Sequence, residues 1–259
     1  VAGAPWGVAM LQVAGVLLLP LVYLGVAAQV EAALSGRAGV RLLQPARDLL
    51  RALRKGAARS ATRPRGLLAV LAALGLGALA PVIGPWSPFA FHGDLAVFAG
   101  LLALYHHSLR SPDAPRSSPL QLLTVVAAVL AGSQVGLAEL VASPRCFIGL
   151  VCAAAALLAL RPVVVAERRT DALDRGLVRW LDGVVAVALS GLFVALVQPL
   201  ARGGPSAAIH LVAVLALAAA VGGVAARVAR PRPAAHALYF GGAALCEGLG
   251  VVLHLRGAE

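Results

Sequence analysis

The chain has 259 residues, 60% of them hydrophobic and 13% charged, with a formal net charge of +11. A soluble domain carries about 25% charged residues, so this composition excludes an ordinary water-exposed globule and points to an integral membrane protein. Leu, Ala, Val and Gly dominate without the alternation of a transmembrane barrel, which leaves an all-α bundle.

A membrane-crossing helix needs about 20 mainly apolar residues. Eight segments qualify: 6–30, 66–86, 93–109, 119–142, 146–166, 176–200, 206–228 and 234–255. They make one membrane domain over 1–259. The first has no basic region before it, so it is expected as a retained span and not a cleaved signal. Pro20 is expected to kink this span, and Pro81 and Pro85 to end the second.

Between the first two spans lies "GRAGVRLLQPARDLLRALRK", residues 36–55. Helical spacing begins at Gln44, and Pro45 suits a first turn. Ala46, Leu49, Leu50 and Leu53 share one face, while Arg47, Arg51 and Lys55 form a stripe on another. The spacing predicts an amphipathic helix over 44–56, lying at the membrane interface with its apolar face in lipid or against the bundle.

The basic residues fix an orientation. If eight spans alternate, nineteen of the Lys and Arg residues fall on one side: nine in 31–65, then Arg110 and Arg116, five around the link from span five to span six, and three after span seven. Only Arg145, Arg202 and Arg256 fall on the other. Positive charge is retained in the cytoplasm, so both termini are expected outside and 36–65 inside. Charges placed beside spans in this way are explained by topology, which excludes nucleic acid as the partner.

An ionisable group within a span is a functional candidate by default. Glu139, near the outer end of span four, is placed to reach the interface. Asp182 sits shallow in span six, three residues after Arg179, where an i, i+3 ion pair and a functional role are both open. Glu247 is the deepest acid, a dozen or so residues into span eight, and needs a partner, a polar cavity or a proton. The cysteines, Cys146, Cys152 and Cys246, make no CxxC pair and read as small buried hydrophobes. His106 and His107 read as a solvated loop doublet. No catalytic residue or metal site is expected in this chain.

"VEAALSGRAGVRLLQPARDL" resembles the loop after the first helix in one membrane-protein family. That family holds the complex I membrane subunit at the junction of the hydrophilic and membrane arms. It also holds the counterpart in membrane-bound group 4 hydrogenases and formate hydrogenlyase. Its pattern is matched by Arg37, Gly39, Leu43, Gln44, Pro45, Arg47, Asp48 and Lys55. "GDLAVFAGLLAL" at 93–104 looks like the start of the family's third helix, and "RGLVRWLDGVVAVALSGLFVALVQP" like its sixth. The hydrogenase branch is the nearer one, because Arg-Asp follows Leu-Gln-Pro and the loops are short.

The resemblance implies eight helices and a subunit without a redox cofactor of its own, in a bacterial or archaeal cytoplasmic membrane. It implies docking of a soluble Fe–S small subunit and a metal-containing large subunit on the basic loop, through Arg37, Gly39, Gln44, Pro45, Arg47, Asp48, Arg51 and Lys55. Antiporter-like membrane subunits and lipid would cover the flanks. The departures also matter. Val40 replaces a family proline, and the window 117–136 lacks the family's acid. The loop between helices five and six, "AERRTDALDR", is short, with as many bases as acids. Glu167, Asp171, Asp174 and Asp182 are what remains of the family's acidic quinone-side route. That thinning points to a subunit that anchors and couples, with ion movement in its neighbours. The reading from a different class is an independent transporter or channel, though no internal repeat joins the two halves.

Overall fold

The computed structural model describes residues 6–39, 41–56, 64–83, 87–89, 91–109, 172–197 and 207–228. The expected spans 119–142, 146–166 and 234–255 lie outside the described residues, as do Glu139, Glu167, Asp171, Glu247 and the three cysteines. The described residues are all-helical apart from short connections. Six helices follow in order: α1 (Trp6–Leu34), α2 (Gln44–Gly56), α3 (Pro64–Leu79), α4 (Asp94–Leu109), α5 (Ala172–Val197) and α6 (Ala207–Val228).

α1 is long and apolar enough to cross a membrane, and α3, α4 and α6 contain shorter apolar stretches. On α1, Trp6, Met10, Leu17 and Leu18 are exposed, while Gln12 and Tyr23 are buried and hydrogen-bonded inside the bundle.

α5 is the central element, packed against α1, α2, α3 and α6, while α4 packs on α3. The core runs through Val16, Tyr23, Leu76, Phe98, Leu102, Leu181 and Val184. Small residues allow the close approaches. A β-carbon on Gly183 would lie 2.9 Å from Leu24 Cδ1 and 3.2 Å from Pro20 Cβ, so α5 meets α1 across a glycine. Gly77 of α3 likewise faces Val16 of α1 and Val184 of α5. Small residues of this kind let helix backbones approach closely.

Several details differ from the sequence expectation, among them the start of α5 at Ala172 and not at 176. α1 runs to Leu34 and not to 30. α3 ends at Leu79, just before Pro81, whose missing N–H cannot continue the ladder. His106 and His107 are not in a loop but in the last turn of α4, which continues to Leu109. Pro20 sits inside an unbroken α1, and Trp180 Nε1 of α5 donates to the Leu17 carbonyl in the same turn at 3.2 Å.

Candidate functional site

The basic stretch is built from α1 outward. Past Leu34 the chain reverses, with Arg37 N donating to the Ala32 carbonyl at 2.9 Å and Gly36 at φ +65. That left-handed turn favours glycine, which has no Cβ to clash. The chain then folds back until the Leu42 carbonyl lies directly on Gly25, leaving no room for a side chain there. Gln44 begins α2, and its Nε2 donates to Asp48 Oδ1 at 2.8 Å, one turn on. Asp48 is thus held by its own helix.

α2 packs against α5 and touches α1. Gln44, Pro45, Ala46, Asp48 and Leu49 are half-buried, whereas Arg47, Leu50, Arg51, Leu53 and Arg54 are exposed. The apolar stripe is therefore split. Ala46 and Leu49 turn toward the bundle, and Leu50 and Leu53 remain uncovered. Arg37 and Gly39 are also exposed. α2 is a platform that carries six of the docking residues expected from sequence, while Arg37 and Gly39 lie in the connection before it. Arg47 and Arg51 lie on its open surface, and Arg37 is exposed in that connection. Gln44, Pro45 and Asp48 form its bundle-facing base. Lys55 lies in the last turn of α2.

Of the expected acidic route, Asp174 falls in the first turn of α5 and Asp182 two turns further on. Asp182 is half-buried and accepts a hydrogen bond from Tyr105 Oη of α4 at 2.5 Å. Arg179, the ion-pair partner considered from sequence, is exposed. Tyr105 had no signal in the sequence beyond being a tyrosine near a helix end. Ser108, one turn later, buries its hydroxyl without a partner among the described residues.

A second group of polar contacts forms at the end of α3. Pro81 cannot donate to the Gly77 carbonyl, the next bond after Ala80 N to Leu76 O at 2.9 Å. Gln12 Nε2 supplies that bond from α1 at 3.0 Å, and donates to the Ala80 carbonyl as well at 2.6 Å. Ser87 Oγ donates to the Ala78 carbonyl at 2.6 Å. His210 Nε2 of α6 lies 2.8 Å from the Pro81 carbonyl. Four carbonyls left open by the helix end are thus met by side chains from three segments, as a dry helix terminus requires. Between these two groups, Tyr23 Oη and Ser190 Oγ meet at 3.1 Å, joining α1 to α5. Asp94 is buried at the start of α4 and accepts from Phe91 N at 3.2 Å.

Among the described residues no group of His, Cys, Asp and Glu is arranged to hold a metal ion. No family model and no curated protein matches this chain.

Proposed function

We propose that this chain is an integral membrane subunit that anchors a multi-subunit oxidoreductase of the complex I and group 4 hydrogenase kind, with α2 as the seat for its soluble subunits. The observation that carries the reading is the placement of α2. The fold-back onto Gly25 fixes a basic helix at one level of the bundle, with three arginines displayed. From exposed Trp6 to Gly25 is a stretch of twenty residues, about 30 Å at 1.5 Å per residue. That length matches the hydrocarbon core of a bilayer, about 30 Å. A tryptophan at one end and a basic interfacial helix at the other suit the two edges of a membrane. The basic helix then lies on the cytoplasmic side.

The assembly itself is inferred from the resemblance of residues 36–55. On this reading Arg37, Arg47 and Arg51 pair with carboxylates of a soluble partner, for which a planar guanidinium is suited. Asp48, tied to Gln44, shapes the platform. Fe–S clusters and the metal centre belong to the partners, and antiporter-like subunits move the ion. The test is charge reversal at Arg47 together with Arg51 in the native complex. The soluble subunits should be released while this chain stays in the membrane. A complex that remains whole would remove the docking role.

The second reading, an independent transporter or channel, draws on the polar side chains inside the bundle, above all Asp182 with Tyr105. Gentle solubilisation separates the two readings. A large co-purifying assembly supports the anchor, and a lone small particle supports the transporter.

A further inference from the structure

The outward side of α2 carries apolar and basic residues together. Leu43, Arg47, Leu50 and Arg54 follow one another at spacings of four, three and four, which places them along one line of the helix. All four are exposed, Leu43 by 53% and Leu50 by 55%. The half-buried Pro45, Asp48 and Leu49 lie toward the other side, where α5 packs. The line therefore faces away from the bundle. It carries leucine and arginine in alternation and no acid. The nearest carboxylate, Asp48, is on the inner side and engaged by Gln44.

A water-facing line would leave the two leucines open to solvent wherever the chain stands without its soluble partner. A purely lipid-immersed line would not carry two arginines. Both are accommodated at the depth where acyl chains give way to phosphates, with arginine stems lying along apolar surface and their heads reaching outward. We propose that this line is a seat for anionic phospholipid, with Arg47 and Arg54 binding headgroup phosphates and Leu43 and Leu50 lying against the acyl region. The arginine geometry suits phosphate through paired N–H donors. Arg51, one turn from Arg47, flanks this line, and Arg37, exposed before the helix begins, is left for the soluble partner. This inference rests on the membrane reading above; Arg47, which both proposals use, meets phosphate where the chain stands alone in lipid and a partner carboxylate where the soluble subunit is seated.

The experiment places the full chain in vesicles of phosphatidylcholine mixed with phosphatidylglycerol. The chain is then extracted in mild detergent, and the co-retained lipid is weighed by native mass spectrometry. Wild type should retain phosphatidylglycerol well above its share in the vesicle. Arg47→Gln with Arg54→Gln should lower that enrichment about twenty-five-fold, given the roughly fivefold value of each basic residue at an anionic surface. Arg37→Gln should leave it within about twofold, being outside the helix. Unchanged enrichment in the double variant, or an equal loss in Arg37→Gln, would overturn the assignment. An alkaline wash of the same vesicles keeps the two readings apart. A chain that washes off refutes the membrane reading itself. A chain that stays but shows no enrichment refutes only the lipid seat.

Discussion

Tyr105 donates its hydroxyl to Asp182 across 77 positions of sequence, tying α4 to α5 at 2.5 Å. An acid two turns into a helix thereby gains an internal donor and does not depend on the exposed Arg179 alone. Tyr105→Phe should lower stability in detergent by about 1 kcal/mol, the usual scale of an interhelical hydrogen bond. Asp182→Asn should cost less, because an amide oxygen still accepts from the tyrosine. Thermal unfolding of the two variants checks the order. Equal losses would mean that the carboxylate's charge matters more than this bond.

The neighbouring Ser108 gives the opposite expectation. Its buried hydroxyl has no partner among the described residues, and removing such a group relieves a desolvation penalty of about 1 kcal/mol. Ser108→Ala should therefore be neutral or stabilising in the same melt. A clear loss would point to a partner for that hydroxyl.

Gln12 serves two carbonyls, so its loss should cost more than that of a single bond. Gln12→Leu leaves Gly77 and Ala80 open, at about 1–3 kcal/mol. Gln12→Glu should be worse, since it turns a donor toward two acceptors as another acceptor. Yield of folded protein after extraction ranks the three forms. A Glu variant as stable as wild type would contradict the contact.

Gly25 is a test of how α2 is positioned. Any β-carbon there collides with the Leu42 carbonyl, and backbone cannot yield as a side-chain tip can. Gly25→Ala should destabilise by about 1–3 kcal/mol and loosen α2, seen as faster proteolysis within 36–56. Gly39→Ala, with open space around it, should leave proteolysis unchanged.

Topology and ion movement test the wider proposal. Single cysteines at 203 and 258 should react from outside, and those at 59 and 113 should not. Outside labelling at 59 would reverse the orientation. Neutralising Glu167, Asp171 and Asp182 together should leave ion translocation largely intact wherever the complex assembles. Lost pumping with electron transfer preserved would place a working path in this chain.

Among the described residues, the helices were legible because apolar runs and proline positions act locally. α2 emerged from the spacing of Ala46, Leu49, Leu50 and Leu53. Its rotation did not, since periodicity cannot say which half of an apolar stripe meets a neighbour. Gln12, Tyr23, Tyr105 and His210 also escaped the sequence. Each is a polar residue in an apolar run or, for Tyr105, at its end, and its meaning lies in a carbonyl or side chain 65 or more positions away. The acids drew attention because charge in a span is costly. The neutral polar groups, which do most of the joining, carry no such mark.

The bond from His210 to the Pro81 carbonyl, 129 positions apart, bears on how the chain is made. α3 leaves the ribosome long before α6 does. Until residue 210 arrives, the Pro81 carbonyl must be served by water, lipid headgroups or the insertion machinery. Gln12, already synthesised, can close Gly77 and Ala80 at once. The end of α3 is thus finished in two stages, the first early and from behind, the second late and from ahead. The late stage ties the first half of the nascent protein to the arrival of the second.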